Sequence, residues 1–298
     1  MNQRAILIPV IVILMSALAC NRPQPVSETI KNSNDYLLAA TLYPQQAAEL
    51  RALCYQAYNI AHRNMEAIYD TANDLTTLAI VMDLDETVLD NSAYEAQSIL
   101  DSLAYPQGWD AWMYAASAKA LPGAVDFIKS VVEKGVHVFY ITNRREKYRE
   151  ATLKNLQNLD IAPADSNHLL LRGQESSKEM RRLKVLDDYQ IVMLFGDNLA
   201  DFASAFDGAQ SSHRRAEVTD SLQDAFGSRF IVFPNAMYGD WLNAITDYNN
   251  SLTHQQKLEK YKSALQGFEK KEVFISSSKT IHCSGQCSGS FVKFMNFL

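Results

Sequence analysis

The chain has 298 residues, 47% hydrophobic and 21% charged, a globular balance that excludes a disordered or collagen-like chain. Its 28 basic against 34 acidic residues leave a formal charge of −6, which does not favour the basic face that a duplex nucleic acid needs. Four cysteines are too few for a disulfide-built scaffold.

Residues 1–19 read as a signal peptide. Arg4 precedes an apolar run, broken only by Pro9 and Ser16, that is shorter than the ~20 residues of a membrane span. It ends Ala17-Leu18-Ala19-Cys20. Ala-x-Ala is a secretory cleavage signal. Small residues before Cys also resemble a bacterial lipobox, in which Cys20 is acylated, with Ala17 where Leu is usual. Both readings cut before Cys20. The lipoprotein is the expectation: an exported chain held to a membrane through Cys20, with 20–35 as a polar tether containing Pro23 and Pro25.

Over 36–74 apolar residues recur at spacings of three to five without Gly, which predicts helix. The apolar run 78–82 predicts a buried strand. The stretch 92–120 carries Tyr94, Tyr105, Trp109, Trp112 and Tyr114 and shows no clear strand. From Pro122 onward helices are expected at 122–134, 146–159, 176–188 and 199–206, and strands at 136–141, 168–171, 191–195 and 230–233. Short, fully apolar strands alternating with helices predict an α/β fold, a Rossmann-like parallel sheet with helices on both faces. A smaller, mostly helical part comes from 36–75 and 88–120, and the domain runs over 36–267. The tail 268–298 has no assigned role. Within it Cys283 and Cys287 offer a small disulfide, or with His282 three zinc ligands that lack a fourth. Cys54 reads as a buried apolar residue.

Two acidic constellations follow strands. Asp83-Leu84-Asp85-Glu86-Thr87 comes directly after 78–82. Residues i and i+2 of a strand share a face, so Asp83 and Asp85 are aimed together at the C-terminal sheet edge, where ligands bind in open α/β sheets. Glu86 points the other way on that alternation and receives no role. Like charges this close need a cation or a shared proton. A calcium loop counted from Asp83 would need Gly and Glu where the chain has Val88 and Tyr94. Gly196-Asp197-Asn198-Leu199-Ala200-Asp201 follows 191–195 and brings two more carboxylates, although Asp197 alone also suits a helix N-cap. Four acids at one edge fit a hard cation such as Mg²⁺. Thr142 and Asn143 after 136–141, and Lys178 near the start of 176–188, add a hydroxyl, an amide, a cation and helix N–H groups. Singly, these are a turn residue and a surface lysine.

In this order the motifs resemble the haloacid dehalogenase (HAD) superfamily of phosphatases. The run from Val81 to Tyr94 is similar to the first signature of class C acid phosphatases, the lipoprotein-anchored, nonspecific bacterial type, with Met82 where Val, Ala or Leu is usual. The run from Val192 to Phe202 is similar to the second, and the resemblance covers 36–265. It implies Mg²⁺-dependent hydrolysis of phosphomonoesters, including nucleoside 5'-monophosphates. Asp83 would be the nucleophile, forming an aspartyl-phosphate, and Asp85 the acid and then the base. Mg²⁺ would be held by Asp83, the Asp85 carbonyl and Asp197, with Asp201 supporting it or orienting Lys178. Thr142, Asn143 and Lys178 would hold the phosphoryl oxygens, and Trp109 and Tyr238 would stack on a base. Trp112 and Trp241 read as core anchors. Two other functions fit the same residues: a nucleotide-capturing lipoprotein without turnover, and a phosphotransferase to an acceptor alcohol.

Overall fold

A computed structural model describes residues 34–268. The expected N-terminal helix is two, α1 (Leu38–Gln46) and α2 (Ala48–Tyr69), separated at Ala47 by an extended backbone just after Pro44. β1 (Leu78–Met82) is buried along its whole length. β2 (Leu89–Asp90) pairs antiparallel with β3 (Lys119–Ala120), and between them lie α3 (Ser92–Leu100) and α4 (Trp109–Ala115). The stretch expected to hold no strand therefore ends in one, and two residues are too few to display a period of two.

The alternating part follows as α5 (Ala124–Glu133), β4 (His137–Arg145), α6 (Arg149–Asn158), β5 (Leu169–Arg172), α7 (Glu179–Leu186) and β6 (Gln190–Gly196). The predicted helix 199–206 is instead two 3₁₀ turns, Leu199–Asp201 and Ser204–Phe206. α8 (Ser212–Ser221), β7 (Phe230–Val232), α9 (Asp240–Ile245) and α10 (His254–Ala264) complete the compact unit, which ends at Ala264. α8 was not anticipated. Its sequence is polar, and it buries only Arg215 and Val218, which leaves almost no apolar stripe to read.

The five long-range strands form one parallel sheet in the order β5-β4-β1-β6-β7. Its two faces feed two cores. Ile80 and Met82 of β1, with Val138 and Tyr140 of β4, pack against α2, α5 and α6 through Tyr58, Phe127 and Leu156. Ala79 and Val81, with Phe139 and Ile141, point the other way onto Val185 of α7 and onto Phe202. The period of two within uniformly apolar strands is that of a sheet covered on both sides.

Register places the site. Met82 is level with Tyr140 of β4 and Phe195 of β6. Asp83 directly follows β1, and Thr142 and Asp197 stand two residues beyond those partners. β4 continues four residues past its predicted end, so Thr142 and Arg144 lie on one face of an extended strand.

Candidate active site

Asp83 is fixed between β1 and β6 by its backbone N–H, which donates to the Phe195 carbonyl at 2.9 Å. Its side chain is buried. Lys178, the residue capping the N-terminus of α7, is also buried. Its ammonium donates to the Asp83 carboxylate and sits 2.6 Å from Asp201 Oδ1. Asp201 is positioned by its own turn: its Oδ2 accepts from the Asn198 backbone N–H at 2.9 Å. Gly196 makes room for this arrangement, because a Cβ there would lie 2.7 Å from Asp201 Cγ. Asp197 is not an N-cap; that place belongs to Asn198, and Asp197 Oδ2 accepts from Asn235 Nδ2 at 2.8 Å.

One oxygen each from Asp83, Asp197 and Asp201 lie within 4.8 Å of one another. Burial pushes the Asp83 carboxyl up to about 7, with Lys178 opposing and Asp201 and Asp85 adding to the rise. Burial likewise holds Asp197 well above the usual carboxylate range, reinforced by Asp201 and Asp83. Burial works against the charge on Lys178, yet Asp201 and Asp83 keep it above its ordinary value. One ammonium therefore serves three crowded carboxyls, and this all-oxygen donor set fits a hard divalent cation.

The Asp85 carboxylate turns away from this cluster. Arg144 grips it with Nη2 at 2.7 Å and Nε at 3.0 and 3.2 Å, and Asn91 Nδ2 donates to it at 2.8 Å. Burial would raise Asp85, but Arg144 and Asn91 hold it below the usual carboxylate range. Asn91 is fully buried and is oriented in turn by Trp112, whose Nε1 donates to its Oδ1 at 2.8 Å. Trp112 is thus a core-packed ring with a polar tip tied to the site.

Glu86 departs from the sequence reading. Residues past Met82 have left the strand, Glu86 has φ 59, and its buried carboxyl accepts from the Asn91 backbone N–H at 2.8 Å. It supports Asn91 rather than pointing away from the site. Arg144, Asn91, Glu86 and Asn235 were all missed. Arg144 was readable as the same-face neighbour of Thr142 had the strand been carried three residues further.

Thr142 is fully buried at the edge, and its Oγ1 accepts from the Arg144 backbone N–H at 3.1 Å. Asn143 is exposed, with Oδ1 accepting from Arg181 Nη2 at 2.8 Å. Burial lowers Arg181 to about 10. Trp109 packs edge-on against Tyr94 and Tyr105, at centroid distances of 4.9 and 5.8 Å. Tyr238 is half-buried in the loop after β7. Trp241 is not a core anchor: it is 43% exposed, and its Nε1 donates to the Asn235 carbonyl at 3.1 Å. Cys54 is fully buried, as expected. Cys20, His282, Cys283 and Cys287 lie outside the described residues. Among the described residues no helix is long and apolar enough to cross a membrane.

This parallel sheet, with acidic pairs beyond its two central strands, is the arrangement of the HAD superfamily. Residues 20–241 match its subfamily IIIB (Acid phosphatase), and the chain belongs to that family. The class C acid phosphatase of Bacillus anthracis, solved with tungstate bound, is 40% identical, with a TM-score of 0.76 over 79% of this chain and 98% of that one. Acid phosphatase 1 of Solanum lycopersicum is 28% identical over 48% of this chain and 57% of its own length. Vegetative storage protein 2 of Arabidopsis thaliana is 27% identical over 56% of this chain and 62% of its own. The match thus spans less than two thirds of either of these plant relatives.

Proposed function

We propose that the protein is a Mg²⁺-dependent phosphomonoesterase acting through an aspartyl-phosphate on Asp83. The observation that carries this reading is the buried Lys178 shared by Asp83 and Asp201, with an Asp197 oxygen in the same 4.8 Å cluster. Asp83, Asp197 and Asp201 would hold the cation. When bound, it supplies charge that offsets the repulsion between the nucleophile and a phosphate dianion.

An Asp83 oxygen bonds to phosphorus as the bond from phosphorus to the alcohol oxygen breaks. Lys178 and the Asn143 backbone face the phosphoryl oxygens. Thr142 joins them: its Oγ1 already accepts from Arg144, which leaves its O–H proton to donate. Asp85 gives the departing alkoxide a proton. It then takes one from the water that attacks phosphorus, releasing phosphate and restoring Asp83. Arg144 and Asn91 favour the ionised form of Asp85, the form that the water step uses. Its acid role requires a proton taken up against Arg144, so the first step gains as the medium becomes acidic.

The substrate class is nucleoside 5'-monophosphates and other phosphomonoesters, with Trp109 and Tyr238 stacking on the base at ~1–3 kcal/mol each. Tungstate, bound by the Bacillus anthracis relative, is expected to compete with substrate. The exported protein is anchored by acylation of Cys20 after loss of 1–19, with 20–35 as tether, 36–267 as the catalytic domain and 268–298 as an appended tail. A Cys20→Ala variant left in the soluble fraction supports the anchor; one that stays on the membrane refutes it.

The test of the activity is phosphate release by the form starting at Asn21, with Mg²⁺ or with chelator, on nucleotides, a sugar phosphate and an aryl phosphate. Release that needs the metal and disappears in Asp83→Asn is the expected result. Unchanged release in that variant refutes the mechanism. A folded chain that binds nucleotide and releases no phosphate would instead establish ligand capture without turnover.

A further inference from the structure

We infer that Asn235 is a positioning residue that locks the metal ligand Asp197 to the loop carrying Tyr238, so that cation binding and the placing of the leaving-group loop are one event. The inference rests on the reading of the site given above. A single side chain works in both directions. Its Nδ2 donates to Asp197 Oδ2 at 2.8 Å. Its Oδ1 accepts from the backbone N–H groups of Met237 at 2.9 Å and Tyr238 at 3.4 Å. Its own carbonyl accepts from Trp241 Nε1 at 3.1 Å. The amide cannot rotate to follow Asp197 without releasing the turn that presents Tyr238, since donor and acceptor are the two ends of one plane.

A second tie reinforces the first. Asn198, the neighbour of Asp197, donates from Nδ2 to Asp240 Oδ2 at 3.1 Å, and Asp240 opens α9 directly after the loop. Arg215 of α8 stands 3.9 Å from the same Asp240 oxygen. Behind the loop is a cavity of about 250 Å³ lined by Pro234, Asn235, Ala236 and Met237, with Glu86 and Leu121 also on its wall. The loop therefore borders open volume on one side, with Met237 buried, and these few polar ties fix it on the other. Groups that orient a ligating carboxylate from outside typically contribute 10–100-fold to metal affinity.

The structure supplies its own reporter, because Trp241 is partly exposed and hydrogen-bonded to Asn235. Mg²⁺ binding to the full-length protein is measured by calorimetry and, in parallel, by tryptophan emission, in the wild type, Asn235→Ala and Trp241→Phe. Wild type is expected to bind Mg²⁺ with a change in emission that Trp241→Phe lacks. Asn235→Ala, with the wild-type circular dichroism spectrum, is expected to bind Mg²⁺ about tenfold more weakly and to lose the emission change. Its KM is expected to rise more for a nucleoside monophosphate than for a small alkyl phosphate. A merely structural residue would lower the melting temperature without moving either the cation affinity or that KM ratio. Wild-type Mg²⁺ affinity in folded Asn235→Ala overturns the inference, and so does wild-type Mg²⁺ binding that leaves Trp241 emission unchanged. Wild type that binds Mg²⁺ with the emission change yet releases no phosphate refutes the phosphatase and leaves the coupling standing. Wild type that binds no Mg²⁺ refutes both.

Discussion

The Arg144–Asp85 pair gives a prediction whose size follows from its asymmetry. The Arg144 side chain is 2% exposed and that of Asp85 is 19% exposed. Removing the carboxylate by Asp85→Asn strands a guanidinium that water cannot reach, a loss on the order of 3–5 kcal/mol for a broken buried pair. Removing the guanidinium by Arg144→Met leaves a carboxylate that reaches solvent and keeps its bond from Asn91, so the loss is smaller, about 1–3 kcal/mol. The double variant has neither stranded charge. Its loss is expected to fall short of the sum of the singles by about 1–3 kcal/mol. Urea unfolding of the four proteins at neutral pH measures the cycle, provided that the m-values agree. The pH dependence has a definite sign. Arg144 holds Asp85 below its ordinary range, so the pair stabilises fully above the unfolded carboxylate value and loses that contribution as pH falls through the folded one. The gap between wild type and Asp85→Asn therefore narrows in acid. Losses that add to within about 0.5 kcal/mol, or an Arg144→Met loss exceeding that of Asp85→Asn, would refute the reasoning.

Three further outcomes are expected. Gly196→Ala drives a methyl group into the Asp201 carboxylate and displaces it from Lys178, so kcat falls at least about tenfold while circular dichroism shows a retained fold; full activity would mean that Asp201 can move freely. Glu95 on α3 is pushed up to about 7 by burial, so the native state holds a proton that the unfolded chain releases; stability falls as pH rises from the unfolded carboxylate range to about 7 and is level above it. Glu95→Gln is then more stable than wild type by about 2 kcal/mol at pH 8 and equal to it near pH 4, as thermal unfolding at the two values checks. Asp85→Asn slows alcohol release in the first turnover by about 10²–10⁴ for an alkyl phosphate and by much less for an aryl phosphate, whose leaving group needs little protonation, while the later water step slows equally for both; equal first-turnover losses would remove Asp85 from the acid step.

The parts of this molecule that were legible in the sequence are those written in neighbouring residues. Five apolar residues followed by Asp-x-Asp, or by Gly-Asp-x-x-x-Asp, state a buried strand and what stands at its end, and β1 and β6 lie where that pattern put them. The same local logic failed wherever the chain leaves regular geometry. Alternation assigned Glu86 to the far face, but its left-handed backbone turns the carboxyl inward onto Asn91. It ended β4 at the last apolar residue, although the strand continues from Thr142 to Arg145, where Thr142 and Arg144 are buried at the site instead of in an apolar core and Asn143 and Arg145 are exposed.

What could not be read are the residues that hold the acids in place. Arg144 meets Asp85 across 59 residues of chain and Asn235 meets Asp197 across 38, and neither pair has a spacing that a motif could carry. Both are consequences of the register that sets β4 and β6 beside β1, and of the loop that leaves β7. The division has a chemical reason. Asp83 and Asp197 stand directly at or just beyond strand ends, and strand ends are visible as the points where apolar runs stop. The groups that keep Asp85 ionised and Asp197 aimed need only a donor at the right point in space, which any element of the fold can deliver. Arg144 and Asn235 therefore differ in origin, a strand extension and a loop, and are alike in function: each fixes the direction of a carboxylate that its own backbone would leave free to rotate.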